Sequence, residues 1–353
     1  MPTKLKGVII GCGAIAREHL AALAALDNAE AIAVCDLSPA RAEFTAERFG
    51  VAKWYSNYEQ MLADIRPDLV HITTPPSSHF TIAKTCLAKG LNVLCEKPIA
   101  MGFQQFHQLK QLATEKTCAL VENQNLRFHS SIKRMQELQS SGRLGDVLDM
   151  QICLSLNLMT PESPYIDLNA PHFSLSLRGG VIGDFLPHIS YLAQMFTGPT
   201  IELRTIWTKR TPDTPLPADE FRGLIMGKRA TAYVTFSGNT QLNGFWVRII
   251  GSRIHAEANL FETPRITFRR YRSGEPALMT FIDGLAESRD VLRNTVAGFW
   301  RKLGGVTSYD GLPEFLARTY RAIEMREPMP VSLDEIDASV QLVDRFTNSA
   351  FKL

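Results

Sequence analysis

Two glycines and an alanine near the start of the chain are spaced for binding a nucleotide. Gly11, Gly13 and Ala16 form a Gly-x-Gly-x-x-Ala segment between an apolar run, Leu5–Ile10, and a helical stretch, Ile15–Leu26. In this strand–turn–helix context Gly11 permits a tight turn, and Gly13 lets a pyrophosphate approach the backbone. Ala16 takes the small position that close packing of the helix on the strand requires. We therefore predict a dinucleotide site here.

The predicted helix start and a downstream acid complete this motif. Free backbone N–H groups at the helix N-terminus, at Ala14 and Ile15, favour phosphate. Asp36 ends the second apolar run, where a carboxylate accepts hydrogen bonds from ribose hydroxyls and repels a 2′-phosphate. This predicts NAD as cofactor, while Arg41, a turn further on, leaves NADP open. The alternative, that Asp36 only caps the next helix, is weaker because Ser38 is the closer cap.

Polar residues follow the next two predicted strands. Thr74, Pro75 and His79 come after the predicted strand Asp68–Thr73 and can line the dinucleotide. Glu96-Lys97-Pro98 follows the predicted strand Asn92–Cys95, and ligands of open α/β sheets lie beyond the carboxyl ends of the strands. We therefore expect Lys97 on the nicotinamide side of the cleft. The Lys97–Pro98 bond is a candidate for the cis form.

A second polar cluster lies in the middle of the chain. Asp184 and His188 follow Gly179-Gly180, and a spacing of four residues places them on one face of a helix. Tyr165 and His172 precede this cluster. Each is a candidate substrate contact, with an ordinary loop or packing role as the alternative.

Strand-like and helix-like patterns of apolar residues alternate over the first 122 residues, and these elements must position the residues described above. Five short apolar runs predict buried parallel strands: Leu5–Ile10, Glu30–Cys35, Asp68–Thr73, Asn92–Cys95 and Cys118–Glu122. Five stretches between or after them predict helices: Ile15–Leu26, Pro39–Phe49, Tyr58–Ile65, Thr81–Lys89 and Phe103–Thr114. The alternation predicts an α/β domain with a doubly wound parallel sheet of the Rossmann type.

The alternation of short strands and helices ends after about residue 123. Longer alternating segments predict strands at Asp146–Leu158, Ile201–Trp207, Ala230–Phe236, Phe245–Ile250, Arg253–Leu260 and Arg265–Arg270. Thr208–Pro217 reads as a loop, and two amphipathic helices, Pro313–Glu327 and Leu333–Asn348, close the sequence. We predict a Rossmann domain over residues 1–123, and over 124–353 an α+β domain on a mainly antiparallel open sheet.

Taken together, these motifs resemble the glucose–fructose oxidoreductase/inositol dehydrogenase/MocA (Gfo/Idh/MocA) family. The resemblance covers nearly the whole chain. It rests on Gly11–Ala16, Thr74-Pro75, Glu96-Lys97-Pro98, Asn125–Phe128, and Gly179-Gly180 with Asp184 and His188. The chain departs from the usual family pattern at Pro76, Leu186 and Pro187. The resemblance implies NAD(P)-dependent hydride transfer at a secondary alcohol or ketone of a sugar, polyol or sugar derivative. It also implies a homodimer or homotetramer built on the open sheet.

Roles for individual residues follow from this chemistry. His188 is the predicted general base, or general acid in the reducing direction, since histidine titrates near neutral pH. Lys97 is expected to donate to the reacting oxygen, and Asp184 to bind a neighbouring hydroxyl and orient His188. The family pattern implies that Glu96 contacts the nicotinamide ribose. Arg127, at the start of the second domain, is a further candidate substrate contact.

Composition excludes several other classes. The chain has 353 residues, and 38 Lys and Arg against 36 Asp and Glu leave a net charge of +2. That balance gives no electrostatic case for nucleic acid or an anionic membrane. Dispersed histidines and the absence of Cys-x-x-Cys predict no metal site. The six cysteines read as buried free thiols, which favours a reducing cytoplasm.

Three functions therefore compete on the sequence. The first is an NAD-dependent dehydrogenase or reductase of a carbohydrate-like substrate. The second keeps the fold but holds NAD tightly for transient oxidation, which enables elimination or glycoside cleavage without net redox change. The third is a regulator that binds NAD without turnover, against which intact Lys97 and His188 argue.

Overall fold

The computed structural model describes residues 4–160, 162–169, 171–262, 266–269, 276–303 and 309–349. Their contacts divide into two compact units. The first comprises residues up to 125 together with 311–341, and the second comprises residues 126–310 together with those from 342 onward.

The first unit is built on a six-stranded parallel sheet. Its strands are β1 Leu5–Ile10, β2 Ala29–Cys35, β3 Lys53–Tyr55, β4 Leu69–Ile72, β5 Val93–Cys95 and β6 Leu120–Glu122. The order β3-β2-β1-β4-β5-β6 is that of a Rossmann fold, as predicted. Every residue of β4 and β5 is buried, as expected for a sheet covered by helices on both faces.

Helices connect and cover these strands. They are α1 Ala14–Ala24, α2 Pro39–Phe49, α3 Tyr58–Asp64, α4 Pro76–Ala88 and α5 Phe103–Lys116, and α9 Leu312–Met325 is added from the C-terminal part of the chain. The Ser38 side chain caps α2 ahead of Pro39, as predicted, and Gly90 follows α4 with a positive φ. Between α5 and α9 lie α6 Ser130–Ser140, α7 Gly180–Thr197 and α8 Ala277–Leu303, and α10 spans Leu333–Ser349.

The second unit holds a seven-stranded mixed sheet. Its strands are β7 Val147–Asn157, β8 Thr200–Thr208, β9 Glu220–Gly227, β10 Thr231–Ser237, β11 Asn239–Gly251, β12 His255–Asn259 and β13 Thr267–Arg269. The order is β13-β12-β11-β7-β10-β9-β8, with only the β7–β10 pair parallel. The mainly antiparallel character is therefore confirmed.

The core of the second unit lies between this sheet and α6 and α7. Alternate residues of β7, among them Met150, Ile152 and Leu154, point inward and are buried. They join the apolar residues of α7 in one cluster, which includes the fully buried Leu186. Burial of this inward row fixes the register of the sheet, because a slip of one residue would expose it.

Several details differ from the sequence predictions. The segment 311–341, which the prediction placed in the second domain, groups with the first unit, because α9 packs on α1. The structure adds β3, β9, α6 and α8, and α4 begins at Pro76 rather than Thr81. The predicted strand Arg265–Arg270 corresponds to β13, and residues 265 and 270 lie outside the described residues.

The cysteines are only partly as expected. All six are free, and Cys12, Cys35, Cys86 and Cys95 are buried, whereas Cys118 is half-buried and Cys153 exposed. Burial raises the pKa of Cys12 to about 11, so this thiol stays protonated at neutral pH. Within the described ranges, no helix combines the length and apolarity that a membrane span requires. Nor do three or more His, Cys, Asp or Glu side chains gather there in a way that could hold a metal ion.

Candidate functional site

The turn between β1 and α1 brings three strand ends together. Gly11 has a φ of +100°, and its N–H donates to the Cys35 carbonyl oxygen at 2.7 Å. A Cβ added to Gly11 would lie 2.7 Å from the Thr74 nitrogen and 2.8 Å from the Thr73 carbonyl carbon. Both the left-handed conformation and the close approach of backbone therefore require glycine at this position.

The start of α1 is open and uncapped by any side chain. Gly13 is the N-cap residue, with a φ of −74°, and a Cβ added there would meet nothing within 4 Å. Ala14 and Ile15 follow as the first two helical residues, and Ala16 is fully buried. Uncapped N–H groups and the positive end of the helix dipole beside open space fit a pyrophosphate.

Asp36 is held by the backbone around it. One carboxylate oxygen accepts from the Cys12 N–H at 2.8 Å, and the other accepts from the Ser38 N–H at 2.9 Å. These two bonds leave lone pairs on both oxygens for the hydroxyls of a ribose. The guanidinium of Arg41, which is largely exposed, lies 3.7 Å away. The arrangement fits NAD, and it keeps a cation beside the position that a 2′-phosphate would occupy.

His79 joins two turns at the carboxyl edge of the sheet. Its two ring nitrogens lie 2.7 Å from the Thr74 carbonyl oxygen and 2.8 Å from that of Pro98. The ring is fully buried, and burial lowers the pKa of His79. A neutral imidazole carries one N–H, so it donates to one of the two carbonyls at a time. His79, predicted to line a dinucleotide, thus sits behind the Thr74-Pro75 turn with both nitrogens directed at backbone.

Glu96 and Lys97 follow β5 at the same edge. The Lys97–Pro98 peptide bond is cis, in agreement with the sequence analysis. Glu96 accepts hydrogen bonds from His19 at 2.9 Å and from the Asn123 amide. Burial by itself would raise the pKa of Glu96, but the hydrogen bonds from His19 and Asn123, together with the nearby Lys97, outweigh it and lower the pKa. Glu96 is therefore an ionised, buried carboxylate directly before Lys97.

In the second unit, α7 carries the predicted polar pair. Asp184 and His188 lie four residues apart on this helix, and Asp184 is buried. His188 Nδ1 lies 2.6 Å from the hydroxyl of Tyr191, whose side chain is 1% exposed. The sequence analysis missed Tyr191, although its position three residues after His188 on a helix was a usable signal. This contact holds one side of the His188 ring.

The remaining candidates of the second unit lie close to one another or on short turns. The rings of Tyr165 and His172 are 4.7 Å apart in an edge-to-face arrangement. His172 Nδ1 lies 2.8 Å from the Ser174 hydroxyl and caps the short helical turn Phe173–Ser176. Arg127 is half-buried in the turn Asn125–Phe128. The sequence analysis also missed three buried residues of the first unit, His19, His71 and Tyr320, since none belongs to a recognised motif.

Comparison with known proteins agrees with this fold. Residues 5–124 match the Gfo/Idh/MocA family model, described as an oxidoreductase family with an NAD-binding Rossmann fold. A D-apiose dehydrogenase of Paraburkholderia graminis is 28% identical over 142 residues, which are 40% of this chain and 38% of that protein. The alignment thus spans about two fifths of that relative's length.

Two further likenesses extend over more of the chain. A glucose-6-phosphate 3-dehydrogenase of Bacillus subtilis is 26% identical over 285 residues, 78% of this chain and 77% of that protein. An oxidoreductase from Agrobacterium radiobacter, solved with NAD+, L-tartaric acid and magnesium, superposes with a TM-score of 0.79 at 18% identity. That superposition covers 99% of this chain and 97% of the other. At such an identity the likeness concerns the fold of both units.

Proposed function

We propose that this chain is an NAD-dependent dehydrogenase of the Gfo/Idh/MocA family, whose model, that of an oxidoreductase family with an NAD-binding Rossmann fold, matches residues 5–124. It transfers a hydride between nicotinamide and a secondary alcohol or ketone of a sugar, polyol or sugar derivative. The single observation that carries this proposal is the open, uncapped start of α1 after the Gly11 turn.

Cofactor binding is assigned to the carboxyl edge of the parallel sheet. Gly11, Gly13 and the N–H groups of Ala14 and Ile15 receive the pyrophosphate, and Asp36 receives the adenosine ribose. Thr74 and Pro75 line the dinucleotide, with His79 as their support. Glu96 and Lys97 serve the nicotinamide half. When bound, NAD supplies the hydride acceptor of the reaction.

His188 is assigned the proton transfer that accompanies hydride transfer. Oxidation of a carbinol breaks its C–H bond, with both electrons leaving as hydride, and releases the hydroxyl proton. We assign the uptake of that proton to His188, whose Nδ1 lies 2.6 Å from the Tyr191 hydroxyl, a contact that orients the ring. Lys97, beside an ionised Glu96, donates to the oxygen on which charge develops. Asp184 accepts a hydrogen bond from a neighbouring substrate hydroxyl and orients His188.

The names of the relatives support a sugar-like substrate. The D-apiose dehydrogenase and the glucose-6-phosphate 3-dehydrogenase are sugar dehydrogenases by their names, and they align with 40% and 78% of this chain. We assign Arg127, Tyr165 and His172 to substrate contacts. An aromatic pair such as Tyr165 and His172 offers apolar faces and polar edges, which suit a sugar ring.

We also propose that the chain forms a homodimer or homotetramer through the outer face of the second sheet. Ile206, Met226 and Tyr233 lie on neighbouring strands of this face and are 41% to 64% exposed. Adjacent exposed apolar side chains of this size are typical of an interface. Light scattering on the purified protein should give at least twice the monomer mass, and the Tyr233→Glu variant should lower it.

The test of function is a spectrophotometric screen. Purified protein with NAD or NADP is mixed with polyols, aldoses, uronates, amino sugars, sugar phosphates and sugar nucleotides, and nicotinamide absorbance is followed. We expect one substrate class to reduce NAD, with Lys97→Met and His188→Ala each lowering kcat/KM at least about 100-fold. Matched controls are Lys89→Met and His255→Ala, which change exposed residues of the same two units.

The alternatives give different results in this screen. Silence across the panel, together with NAD that survives purification and a product formed without net redox change, would replace the proposal by transient oxidation. Saturable NAD binding without any turnover, unaffected by Lys97→Met, would replace it by a regulatory role.

A further inference from the structure

Four buried side chains of the first unit form an unbroken hydrogen-bonded chain that ends at Glu96. The Tyr320 hydroxyl lies 2.8 Å from His71 Nε2, and His71 Nδ1 lies 2.9 Å from His19 Nδ1. His19 Nε2 in turn lies 2.9 Å from Glu96 Oε1. Tyr320, His71 and His19 have no exposed surface, and Glu96 is 8% exposed. None of the first three residues has a role in the function proposed above.

The protons in this chain can be placed from its tyrosine end. Burial raises the pKa of Tyr320, so the hydroxyl keeps its proton, and within the described residues its hydrogen has only His71 Nε2 as an acceptor. Burial, and to a lesser extent His19, lowers the pKa of His71 well below its ordinary value, so this ring is neutral. With Nε2 accepting, the single N–H of His71 is on Nδ1 and donates to His19 Nδ1.

The other end of the chain requires the same direction. The ionised Glu96 carboxylate only accepts, so His19 must carry a proton on Nε2. His19 Nδ1 then accepts from His71, and every bond points from Tyr320 towards Glu96. The opposite direction would leave the buried Tyr320 hydrogen without an acceptor, at the cost of an unsatisfied polar group.

Neighbouring residues accommodate these four hydrogen-bonded side chains. A Cβ added at Gly7, in β1, would collide with the Tyr320 hydroxyl, so strand β1 has glycine where the hydroxyl enters. The Asn123 amide nitrogen also donates to Glu96 Oε1, which adds a second donor to the same oxygen. Two donors, His19 and Asn123, thus converge on one oxygen of a carboxylate whose neighbour in sequence is Lys97.

We propose that Tyr320, His71 and His19 are positioning residues that hold Glu96 as a fixed negative charge at the nicotinamide end of the cofactor site, where it favours NAD+ over NADH. The proposal rests on the NAD-dependent function above and deepens it. The oxidised nicotinamide ring carries a positive charge that the reduced ring lacks. A fixed carboxylate at this edge of the sheet therefore stabilises the bound oxidised form selectively. Such a site is biased towards oxidation of the alcohol.

Tyr320→Phe tests this with the smallest change of shape. Without the hydroxyl, both imidazoles can switch tautomer, and His19 Nε2 can then face a protonated Glu96. We expect the dissociation constant of NAD+ to rise about three- to tenfold relative to that of NADH, measured by fluorescence titration and calorimetry. A tenfold change in this ratio shifts the two-electron potential of the bound cofactor by 29.6 mV. The control is Thr319→Val, which deletes the neighbouring buried hydroxyl, bonded only within α9 to the Phe315 carbonyl.

A second measurement does not depend on whether the Tyr320→Phe variant folds. In protein labelled with 15N-histidine, long-range 1H–15N spectra should show His71 as the Nδ1–H tautomer and His19 as the Nε2–H tautomer, with His19→Gln and His71→Gln assigning the signals. The reverse tautomers, or a Tyr320→Phe variant that binds both cofactor forms in the wild-type ratio, would overturn the inference and leave the dehydrogenase intact. A protein that binds neither NAD+ nor NADH would overturn both.

Discussion

Alanine substitutions at three glycines of the first unit can separate a steric effect on cofactor binding from an effect on the stability of the fold. Gly11 has a positive φ and faces backbone, Gly50 has a φ of +66° and faces nothing within 4 Å, and Gly13 has an ordinary φ and open space. Replacing each by alanine adds one methyl group. Gly11→Ala therefore tests backbone strain together with a collision, Gly50→Ala tests backbone strain alone, and Gly13→Ala tests neither.

The expected stabilities follow from these geometries. An alanine in the left-handed region costs about 1–2 kcal/mol, which is the whole expectation for Gly50→Ala. Gly11→Ala adds a collision with backbone atoms of Thr73 and Thr74 that no side-chain rotation relieves, so we expect a loss of about 3 kcal/mol or more. For Gly13→Ala, a poorer N-cap and a less flexible unfolded chain oppose each other, and the change should stay within about 1 kcal/mol.

Cofactor affinity should follow a different order. The Gly13→Ala methyl would occupy the space that we assign to the pyrophosphate, so NAD binding should weaken at least about tenfold, which is 1.4 kcal/mol. Gly50→Ala should bind NAD as the wild type does. Urea unfolding and fluorescence titration of the three variants would measure both quantities. Wild-type NAD affinity in Gly13→Ala would refute the placement of the phosphates, and wild-type stability in Gly11→Ala would refute the packing argument.

Three further predictions concern single side chains. Asp36→Ala should shift the ratio of NADP to NAD affinity at least about tenfold towards NADP, because it removes the ribose acceptor and the carboxylate beside Arg41. Titration with both cofactors measures this ratio, and an unchanged ratio would contradict the role of Asp36. Tyr191→Phe should lower kcat about tenfold with little change in KM, since His188 loses the partner that orients it; a wild-type kcat would argue against His188 as the base. Burial raises the pKa of Glu122, so the folded state binds more protons than the unfolded state above about pH 4.5, and this carboxyl lowers stability as pH rises through its folded pKa. In urea titrations, the free energy of unfolding of Glu122→Gln should therefore rise relative to that of the wild type between pH 5 and pH 8. An equal difference between the two proteins at both pH values would contradict this.

The parts of the fold that local sequence dictates were predictable. The bounds predicted for β1 and α2 are those observed, because each has a strong local signal: a β-branched apolar run in one, and a Ser-Pro start with a terminal glycine in the other. The turn at Gly11 is equally local, since its conformation admits little besides glycine.

The elements that were missed depend on their neighbours or on unusual caps. Strand β9 contains Gly223 and two charged residues, a composition that disfavours a strand, and it forms because β8 and β10 pair with it on both sides. A residue at Gly223 with a side chain would meet the ring of Phe221, so the glycine serves packing. Helix α6 starts at an N-cap histidine, His129, rather than at one of the usual capping residues.

Long-range contacts set the properties of the site that sequence could not supply. Glu96 and Glu122 both stand at the end of a short buried strand, and their local sequences give no reason to expect opposite pKa shifts. In the structure Glu122 accepts from the Ile99 N–H and the Gln124 amide, which do not outweigh its burial, and its pKa is raised. Glu96 accepts from His19 and Asn123 beside Lys97, and its pKa is lowered.

This difference assigns the two carboxyl groups opposite chemical parts. A carboxyl with a raised pKa, such as Glu122 at the end of the edge strand β6, keeps its proton to a higher pH than usual, whereas one with a lowered pKa supplies a charge that a cationic ring can use. Tyr320, at the far end of the hydrogen bonds that reach Glu96, lies 249 residues from His71 in the sequence. It belongs to α9, which joins the first unit although residues 126–310 of the second unit precede it in the sequence. Because the chain returns to complete the first unit, we expect truncation before α9 to change the charge at Glu96 as well as the stability of the fold.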